Sequence, residues 1–275
     1  MLSINTNTAS MAAVNAINKS SASLSTSMTR LATGNRINSS ADDAAGKQIA
    51  NRLEAQSSGM GVALKNISDA TAMLQTADGM FDEMNDILGR MKDLSTQAAN
   101  GTYNSDDLGA MQDEYDELSD QMDDMMNNTT YGGTNLFGDT GKFTSSVSFQ
   151  VGAESSDVMT VDISDDLSSL KTDLDGLSNL KLGTDASVMD SISATMAQIG
   201  EIQSQLGASI NRLNDTATNL TSMKDNTDVA VGNIMDTDYA TEASNMTKQQ
   251  VLMQTGITML KQSNSMSSMV SSLLQ

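Results

Sequence analysis

The strongest structural signal in the sequence lies at residues 53–91, LEAQSSGMGVALKNISDATAMLQTADGMFDEMNDILGRM. A large apolar residue recurs at every seventh position, and a companion set four residues before each one repeats with a single polar exception. This spacing keeps one apolar seam on one side of a helix and is typical of coiled coils. It predicts one helix over residues 44–99, roughly 80 Å long at ~1.5 Å per residue. The recurring residues are Leu53, Met60, Ile67, Leu74, Phe81 and Leu88.

The N-terminal region predicts a second amphipathic helix over residues 6–32, which ends at Gly34 because glycine tolerates a left-handed C-terminal cap. Its apolar seam advances by alternating steps of three and four residues if Ser21 occupies one position. Capping-box patterns at residues 39–42 and 40–43 predict where the long helix begins. The seam residues are Val14, Ile17, Leu24, Met28 and Leu31.

Glycine and polar composition predict where the helices are interrupted. Gly59 and Gly61 each weaken the long helix by about 1 kcal/mol, which predicts a local irregularity there. Residues 164–185 are polar and punctuated by glycine, and they predict a solvent-facing turn region. Residues 225–238 predict a polar break that includes Gly232.

The middle of the chain predicts a helix that folds back and one β-hairpin. Apolar residues at steps of three and four from Leu108 to Met125 predict a helix. The short connection at residues 100–104 makes this helix antiparallel to the long one. Alternating apolar residues at 143–151 and 159–163 predict two strands joined by a hairpin loop.

Helical spacing returns at about residue 186, and the last predicted helix, about 239–273, is apolar on two sides. Such a helix must be covered on two sides, so a lone subunit leaves one apolar stripe in water. We therefore expect both terminal helices to be largely disordered in the free monomer and to order on assembly. One stripe contains Met246, Met253, Ile257, Leu260 and Leu274, and the other contains Leu252, Met259, Met266, Val270 and Leu273.

Together these patterns predict a mainly α protein, a long antiparallel helical bundle or coiled coil with one small β-hairpin region. The N- and C-terminal helices are expected to pair with each other. Residues 1–43 and 235–275 would form the terminal helical pair. Residues 44–234 would form the bundle, with the hairpin at about 143–163.

The composition disfavours most enzyme classes, and we expect neither catalytic residues, nor a cofactor, nor a metal site. The 275 residues include no Cys, His, Pro or Trp, which removes thiol and imidazole chemistry and the commonest metal ligands. The net charge of −20 argues against nucleic acid and against anionic membrane surfaces as partners. No apolar stretch is long enough to cross a membrane, and the N-terminus lacks the pattern of a secretory signal.

Three further features allow two interpretations each. The acidic run from Asp106 to Asp124 has nine carboxylates and would be either a calcium site or, as we favour, the solvated face of a helix. The Met-rich stripes would form either a ligand groove or, as we favour, a core or subunit interface. Arg36 is one of five arginines, and we expect it to form an ion pair between segments or subunits, the alternative being a solvated charge.

Five segments, in the same order along the chain as in the family, make the sequence resemble bacterial flagellin over nearly its whole length. They are RLATGNRINSSADDAAGKQIANRL (30–53), LGRMKDLSTQAANGT (88–102), FQVGA (149–153), LGASINRLNDTATNL (206–220) and DTDYATEASNMTKQQVLMQTGITML (236–260). The resemblance implies a structural subunit of the flagellar filament. The paired terminal helices would form its inner tube (D0) and the bundle its next layer (D1). It would be a minimal form, since residues 164–185 leave no room for an outer-domain insertion.

The resemblance also implies partners and a location. The chain would polymerise with itself into a helical homopolymer and meet the filament cap and the hook-junction proteins. It would leave the cell through the flagellar export apparatus without a cleavable signal peptide, and an export chaperone would bind its C-terminal helix. An innate immune receptor would recognise a surface at Leu88, Arg90, Leu94 and Glu114.

Two alternatives remain at this point, a hook–filament junction protein and a cytoplasmic signalling coiled coil. Long filaments on salt-induced assembly would favour the filament subunit over the junction protein. Ordered termini in dilute protein would favour the signalling coiled coil. For the filament subunit, the expected assembly interface comprises Val14, Ile17, Leu24, Met28, Leu31, Arg36, Met253, Ile257, Leu260, Met266, Val270, Leu273 and Leu274.

Overall fold

The computed structural model describes residues 7–183 and 187–273, of which 267, 268 and 270–273 are described by their backbone alone. Over these ranges the chain is mainly helical, as predicted, with two small antiparallel sheets. The helices are α1 (Thr8–Thr33), α2 (Ala44–Ala98), α3 (Ser105–Asn128), α4 (Ser164–Ser178), α5 (Val188–Met235) and α6 (Tyr239–Leu273), and a 3-10 turn covers Lys142–Thr144. The strands are β1 (Thr130–Tyr131), β2 (Thr134–Asn135), β3 (Val147–Gln150) and β4 (Val158–Val161).

The chain divides into two compact units. The terminal unit comprises Met1–Gln56 and Asp225–Gln275, and the central unit comprises Ser57–Lys224. Both divisions fall inside helices, in α2 and in α5, whereas the sequence patterns suggested limits near residues 43 and 235. The two compact units therefore meet within helices and not in the segments that connect one helix to the next.

The heptad seam of α2 forms the centre of the central unit. Its recurring large residues from Met60 to Leu88 are all buried, and the companion alanines and methionines are buried beside them. Phe81 packs edge-on against Phe137, which stacks on Phe143 with 5.6 Å between ring centroids. Phe143 lies in the 3-10 turn and not in a strand, because this position inserts its ring into the core.

The hairpin β3–β4 lies where the alternation predicted it, with Val147 opposite Val161 and Gln150 opposite Val158. Helix α2 continues through Gly59 and Gly61, so the predicted irregularity is wrong. A Cβ atom at position 59 would lie 2.9 Å from the Cβ of Ala153 in the hairpin loop. Gly59 thus allows the loop to approach α2 closely, and this packing offsets its weak helix propensity.

Helix α4 corrects the prediction of a solvent-facing turn at residues 164–185. Four leucines at steps of three and four residues are buried on one side of it. The helix docks on α3, where the buried Tyr115 hydroxyl donates to the carbonyl of Leu177 and burial raises the pKa of Tyr115 to about 12. The side-chain amide of Gln112 binds the segment that follows α4. Its nitrogen donates to the Leu180 carbonyl, and its oxygen accepts from the Leu182 N–H. The buried leucines are Leu167, Leu170, Leu174 and Leu177.

Two further local predictions are corrected. A second, two-residue hairpin, β1–β2, turns at Gly132 and Gly133, whose φ angles of 58° and 80° suit glycine. Helix α5 runs on to Met235, so the polar break shrinks to residues 236–238. Ile234 and Val231 pack with Met235 against Ile37, and these tertiary contacts stabilise a stretch that is polar in sequence.

Candidate functional site: the paired terminal helices

Helices α1 and α6 pack against each other in antiparallel orientation, which confirms the predicted pairing of the chain ends. Three contacts along the pair determine its register. The Asn7 side chain donates to the Ser263 hydroxyl at 2.9 Å near one end. Arg30 Nη1 lies 3.7 Å from Glu242 Oε2 near the other.

The third contact shows how closely the helices approach. A Cβ atom at Gly256 would lie 2.8 Å from Cγ1 of Ile17, so no larger residue fits there without a shift. Continued along the pair, this register places a small residue level with a large one at several layers of the seam. This alternation lets two backbones come close while filling the space between them. Ile17 meets Gly256 directly, and the register places Ala13 level with Leu260, Ser20 with Met253, and Ser27 with Met246.

The phase of the α1 seam differs from the prediction. Ile17, Leu24 and Leu31 are partly buried, but Val14 and Met28 are 40% and 50% exposed. Their places in the seam are taken by Ala13 and Ser27. Large apolar residues alone therefore indicate the wrong edge of this helix, because close packing selects small side chains.

Helix α6 has two apolar sides, as predicted. Met246, Met253 and Leu260 are partly buried on the side that carries Gly256. The outer stripe, which we define as Leu252, Met259 and Met266, is exposed, with Met259 at 63%. Ile257 was predicted on the first stripe but is exposed. The predicted Leu274 lies outside the described residues, as do the side chains of Val270 and Leu273.

The connection between α1 and α2 is tied to the connection between α5 and α6. Gly34 caps α1 with φ of 77°, and its carbonyl accepts from Thr237 N–H at 2.9 Å. The Arg36 N–H donates to the Met235 carbonyl, and Asn35 forms a β-bridge with Asp236. These backbone hydrogen bonds hold the start of α6 beside the end of α1.

Among the described residues Arg36 forms no ion pair within the subunit, and an ion pair of Arg36 between subunits stays a prediction. Its Nη2 donates to the carbonyl of Ile234 at 2.8 Å, near the C-terminus of α5, where unpaired carbonyls carry partial negative charge. The ion pair in this region joins Arg30 to Glu242, whose side chain is only 10% exposed, and Arg30 Nε also donates to the Arg36 carbonyl. Glu242 lies four residues before Met246, so the two residues lie on the same side of α6. This spacing is the sequence signal that places Glu242 on the side facing α1.

Aspartates begin both α2 and α6, and at α2 an aspartate takes the place of the predicted serine capping boxes. Asp43 accepts from the Gly46 N–H at 2.8 Å, which makes it the N-terminal cap of α2. Asp42 accepts from the N–H groups of Ser39 and Asn38, which lower its pKa. Asp238 accepts from the Thr241 hydroxyl and from two backbone N–H groups, which lower its pKa and favour the charged cap.

The residues predicted as an immune-receptor surface are divided between core and surface. Leu88 and Leu94 are 0% and 2% exposed, so the prediction is wrong for them as surface residues. They belong to the side of α2 that packs in the core. Arg90 and Glu114 are exposed and joined, with Arg90 Nε donating to Glu114 Oε1 at 2.8 Å.

The nine carboxylates between Asp106 and Asp124 all lie on the exposed side of α3. In the described ranges, no three acidic residues are arranged to hold a metal ion. None of the helices in residues 7–183 and 187–273 is long and apolar enough to span a membrane.

Two family models match the chain. The bacterial flagellin N-terminal helical region matches residues 4–142, and the bacterial flagellin C-terminal helical region matches residues 189–274. A flagellin of Halalkalibacterium halodurans is 34% identical over 250 residues, with 90% of each chain covered. Flagellin A of Vibrio anguillarum is 28% identical over 380 aligned positions that cover both chains completely, so that relative carries residues without a counterpart in these 275.

One solved structure supports the fold alone. A chain described as a flagellar hook-associated protein of Vibrio parahaemolyticus is 18% identical, with a TM-score of 0.54. The likeness covers 71% of this chain and all of that one.

Proposed function

Since the chain belongs to the bacterial flagellin family and is a subunit of the flagellar filament, we propose that subunits join through the outer side of the paired terminal helices. Flagellin is a structural protein family, and the small size of this chain fits a minimal form. The observation that carries the proposal is the outer stripe of α6, which stays exposed while the opposite side packs against α1.

The physical argument is the free energy of burial. Each large apolar side chain contributes about 1.5–3 kcal/mol when it is fully removed from water. Leu252, Met259 and Met266 recur every seven residues, so a helix from a neighbouring copy could cover all three. Val14 and Met28 on α1 are exposed as well. We assign both to the same interface, together with Ile257, a predicted interface residue of α6 that is also exposed.

The test is a triple substitution, L252Q/M259Q/M266Q, because glutamine keeps helix propensity while removing apolar surface. We expect the critical concentration for assembly to rise at least ~10-fold, as seen by light scattering and electron microscopy. The control is V62Q, which removes an exposed apolar side chain from the central unit. Assembly of the triple variant at the wild-type concentration would overturn the proposed interface.

We further propose that residues 1–43 with 235–275 form the inner layer of the filament and that residues 44–234 form the next layer. In the free subunit we expect the terminal helices to be largely disordered, which suits export as an unfolded chain through the flagellar export apparatus. Hydrogen exchange on dilute protein tests this, with fast exchange expected in α1 and α6 and slow exchange in the seam of α2. Protected termini would favour a preassembled coiled coil instead.

We propose that the export chaperone binds the C-terminal helix at the same outer stripe. These apolar side chains are exposed to water before assembly, and a bound chaperone would bury them. Secretion of the L252Q/M259Q/M266Q variant into the culture medium should therefore fall relative to V62Q. Equal secretion of the two variants would place the chaperone elsewhere. The cap and the hook-junction proteins are proposed as the neighbours at the filament ends.

For an innate immune receptor, the proposed surface is now limited to Arg90 and Glu114, the exposed members of the set. The variant R90A/E114A should weaken receptor activation by the free subunit without altering assembly. K171A, which removes another exposed ion pair of the central unit, with Asp139, is its control. Unchanged activation by R90A/E114A would remove this surface from the proposal.

A further inference from the structure

The methionines of this chain fall into two populations. Most of those described are buried or partly buried, and those along the α2 seam, such as Met60, Met84 and Met91, are at most 1% exposed. Six described methionines are between 47% and 63% exposed. Five of these lie on the terminal helices, at Met11, Met28, Met259, Met266 and Met269, and Met223 alone belongs to the central unit.

The thioether of an exposed methionine reacts with peroxides. Hydrogen peroxide transfers one oxygen atom to sulfur: an S–O bond forms, the O–O bond breaks and water leaves. The sulfur loses two electrons and the peroxide is reduced. The product, methionine sulfoxide, is polar and carries a strong hydrogen-bond acceptor where the thioether was apolar.

We propose that the outer methionines, Met11, Met28, Met259 and Met266, are peroxide-sensitive modification sites that control whether a subunit can join the filament. The inference rests on the proposed function, because it requires these side chains to become buried between subunits. An oxidised subunit would have to bury sulfoxide oxygens without partners in an apolar interface, and it would not add to the filament. An assembled subunit is protected, because the same interface covers its thioethers.

The positions strengthen this inference. Leu252, Met259 and Met266 occupy equivalent places seven residues apart, so leucine satisfies the packing requirement of the stripe. Methionine at two of the three places adds sensitivity to oxidation that packing does not need. The buried methionines of the central core are shielded, so peroxide alters the assembly surface and leaves the fold of the central unit intact. Enzymatic reduction of the sulfoxides restores the thioethers and makes the change reversible.

The test compares three full-length proteins: wild type, M11L/M28L/M259L/M266L, and M223L as the control outside the terminal unit. Leucine is close to methionine in volume and resists oxidation. Each is treated with hydrogen peroxide as monomer, quenched, and added to fragmented wild-type filaments. Elongation is measured by light scattering, sulfoxides are located by peptide mass spectrometry, and circular dichroism reports the fold.

We expect peroxide to slow elongation of wild type and M223L by about tenfold or more, since each buried, unpaired acceptor weakens association. The fourfold leucine variant should lose less of its elongation rate than wild type, although Met246, Met253 and Met269 of α6 can still react in the monomer. Methionine sulfoxide reductase should restore wild type. Equal losses in wild type and the leucine variant, or full elongation of wild type oxidised at all four sites, would overturn the inference. Failure of untreated wild type to elongate would instead overturn the proposed function.

Discussion

The central and terminal units differ in charge and in how they treat their apolar residues. The central unit contains 27 acidic and 8 basic residues, a net charge of −19, whereas the terminal unit contains 8 and 7, a net charge of −1. The central unit buries its large side chains around α2, and the terminal unit leaves a row of them exposed on α6. Charge repulsion between neighbouring copies is thus concentrated in the central unit, and the exposed apolar stripe lies on the terminal unit.

The largest effect is expected from deleting residues 241–275. The terminal unit loses α6, so assembly should be abolished, while the central unit keeps its whole core and should stay folded. Electron microscopy and thermal unfolding by circular dichroism check the two halves of this statement. Filaments formed by the truncated chain would show that assembly does not require α6.

The next effect compares one core residue from each unit in the free subunit. F81A removes a ring that packs 5.1 Å from Phe137 and should lower the free energy of unfolding by about 3–5 kcal/mol. L24A lies in the α1–α6 seam and should leave urea unfolding of the monomer unchanged, because we expect that seam to form on assembly. A large loss in L24A monomer would mean that the terminal helices are already paired.

A smaller effect is expected at the close contact of α1 and α6. G256L overfills the space beside Ile17 and should weaken filaments by about 1–3 kcal/mol per subunit, measured as critical concentration. The double variant I17A/G256L exchanges the small and large partners and should recover much of the loss. If G256L assembles like wild type, the seam is looser than this register indicates.

Two glycines of α2 provide the fourth comparison, within the central unit. Gly79 has no atom within 4 Å of an added Cβ, so G79A should stabilise the fold by about 1 kcal/mol through helix propensity alone. G59A gains the same propensity but pushes against Ala153, so its free energy of unfolding should fall below that of G79A. Chemical denaturation of both variants gives the difference, and equal stabilisation would contradict the close hairpin contact.

The smallest effect concerns the acidic surface. Burial and the like charges of Asp175, Asp120 and Asp124 raise the pKa of Asp123. The Asp123 carboxyl group therefore binds a proton more tightly in the folded protein than in the unfolded chain. Its charged form lowers the stability of the folded protein at pH values above the raised pKa, and this loss shrinks as the pH falls from the raised pKa towards the pKa of the unfolded chain. D123N should stabilise the central unit by less than about 1 kcal/mol near neutral pH, and less in high salt.

The control for this substitution is D113N, on the same exposed side of α3. Thermal unfolding at neutral and acidic pH compares the two variants. A stabilisation of D123N that persists unchanged at acidic pH would show that the aspartate charge is not its cause.

Sequence patterns predicted the elements whose periodicity is long and regular. The heptads of α2 extend over many turns, so a few substituted positions do not hide them, and the hairpin at Val147 to Val161 shows clean alternation. Helix α4 is short and mostly polar, and its four leucines give too few repeats to outweigh its composition. The extension of α5 through Gly232 depends on the contact of Met235 with Ile37, which no local window contains.

The sequence by itself determined that the fold is mainly helical, that α6 is apolar on two sides, and that the chain resembles flagellin. These properties reside in spacings within one segment. Only the tertiary structure decided that Ser27 and not Met28 faces α6, that Arg30 and not Arg36 forms the ion pair with Glu242, and that Leu88 and Leu94 are buried. The physical reason is that periodicity defines a side of a helix, whereas burial depends on what packs against that side and how closely.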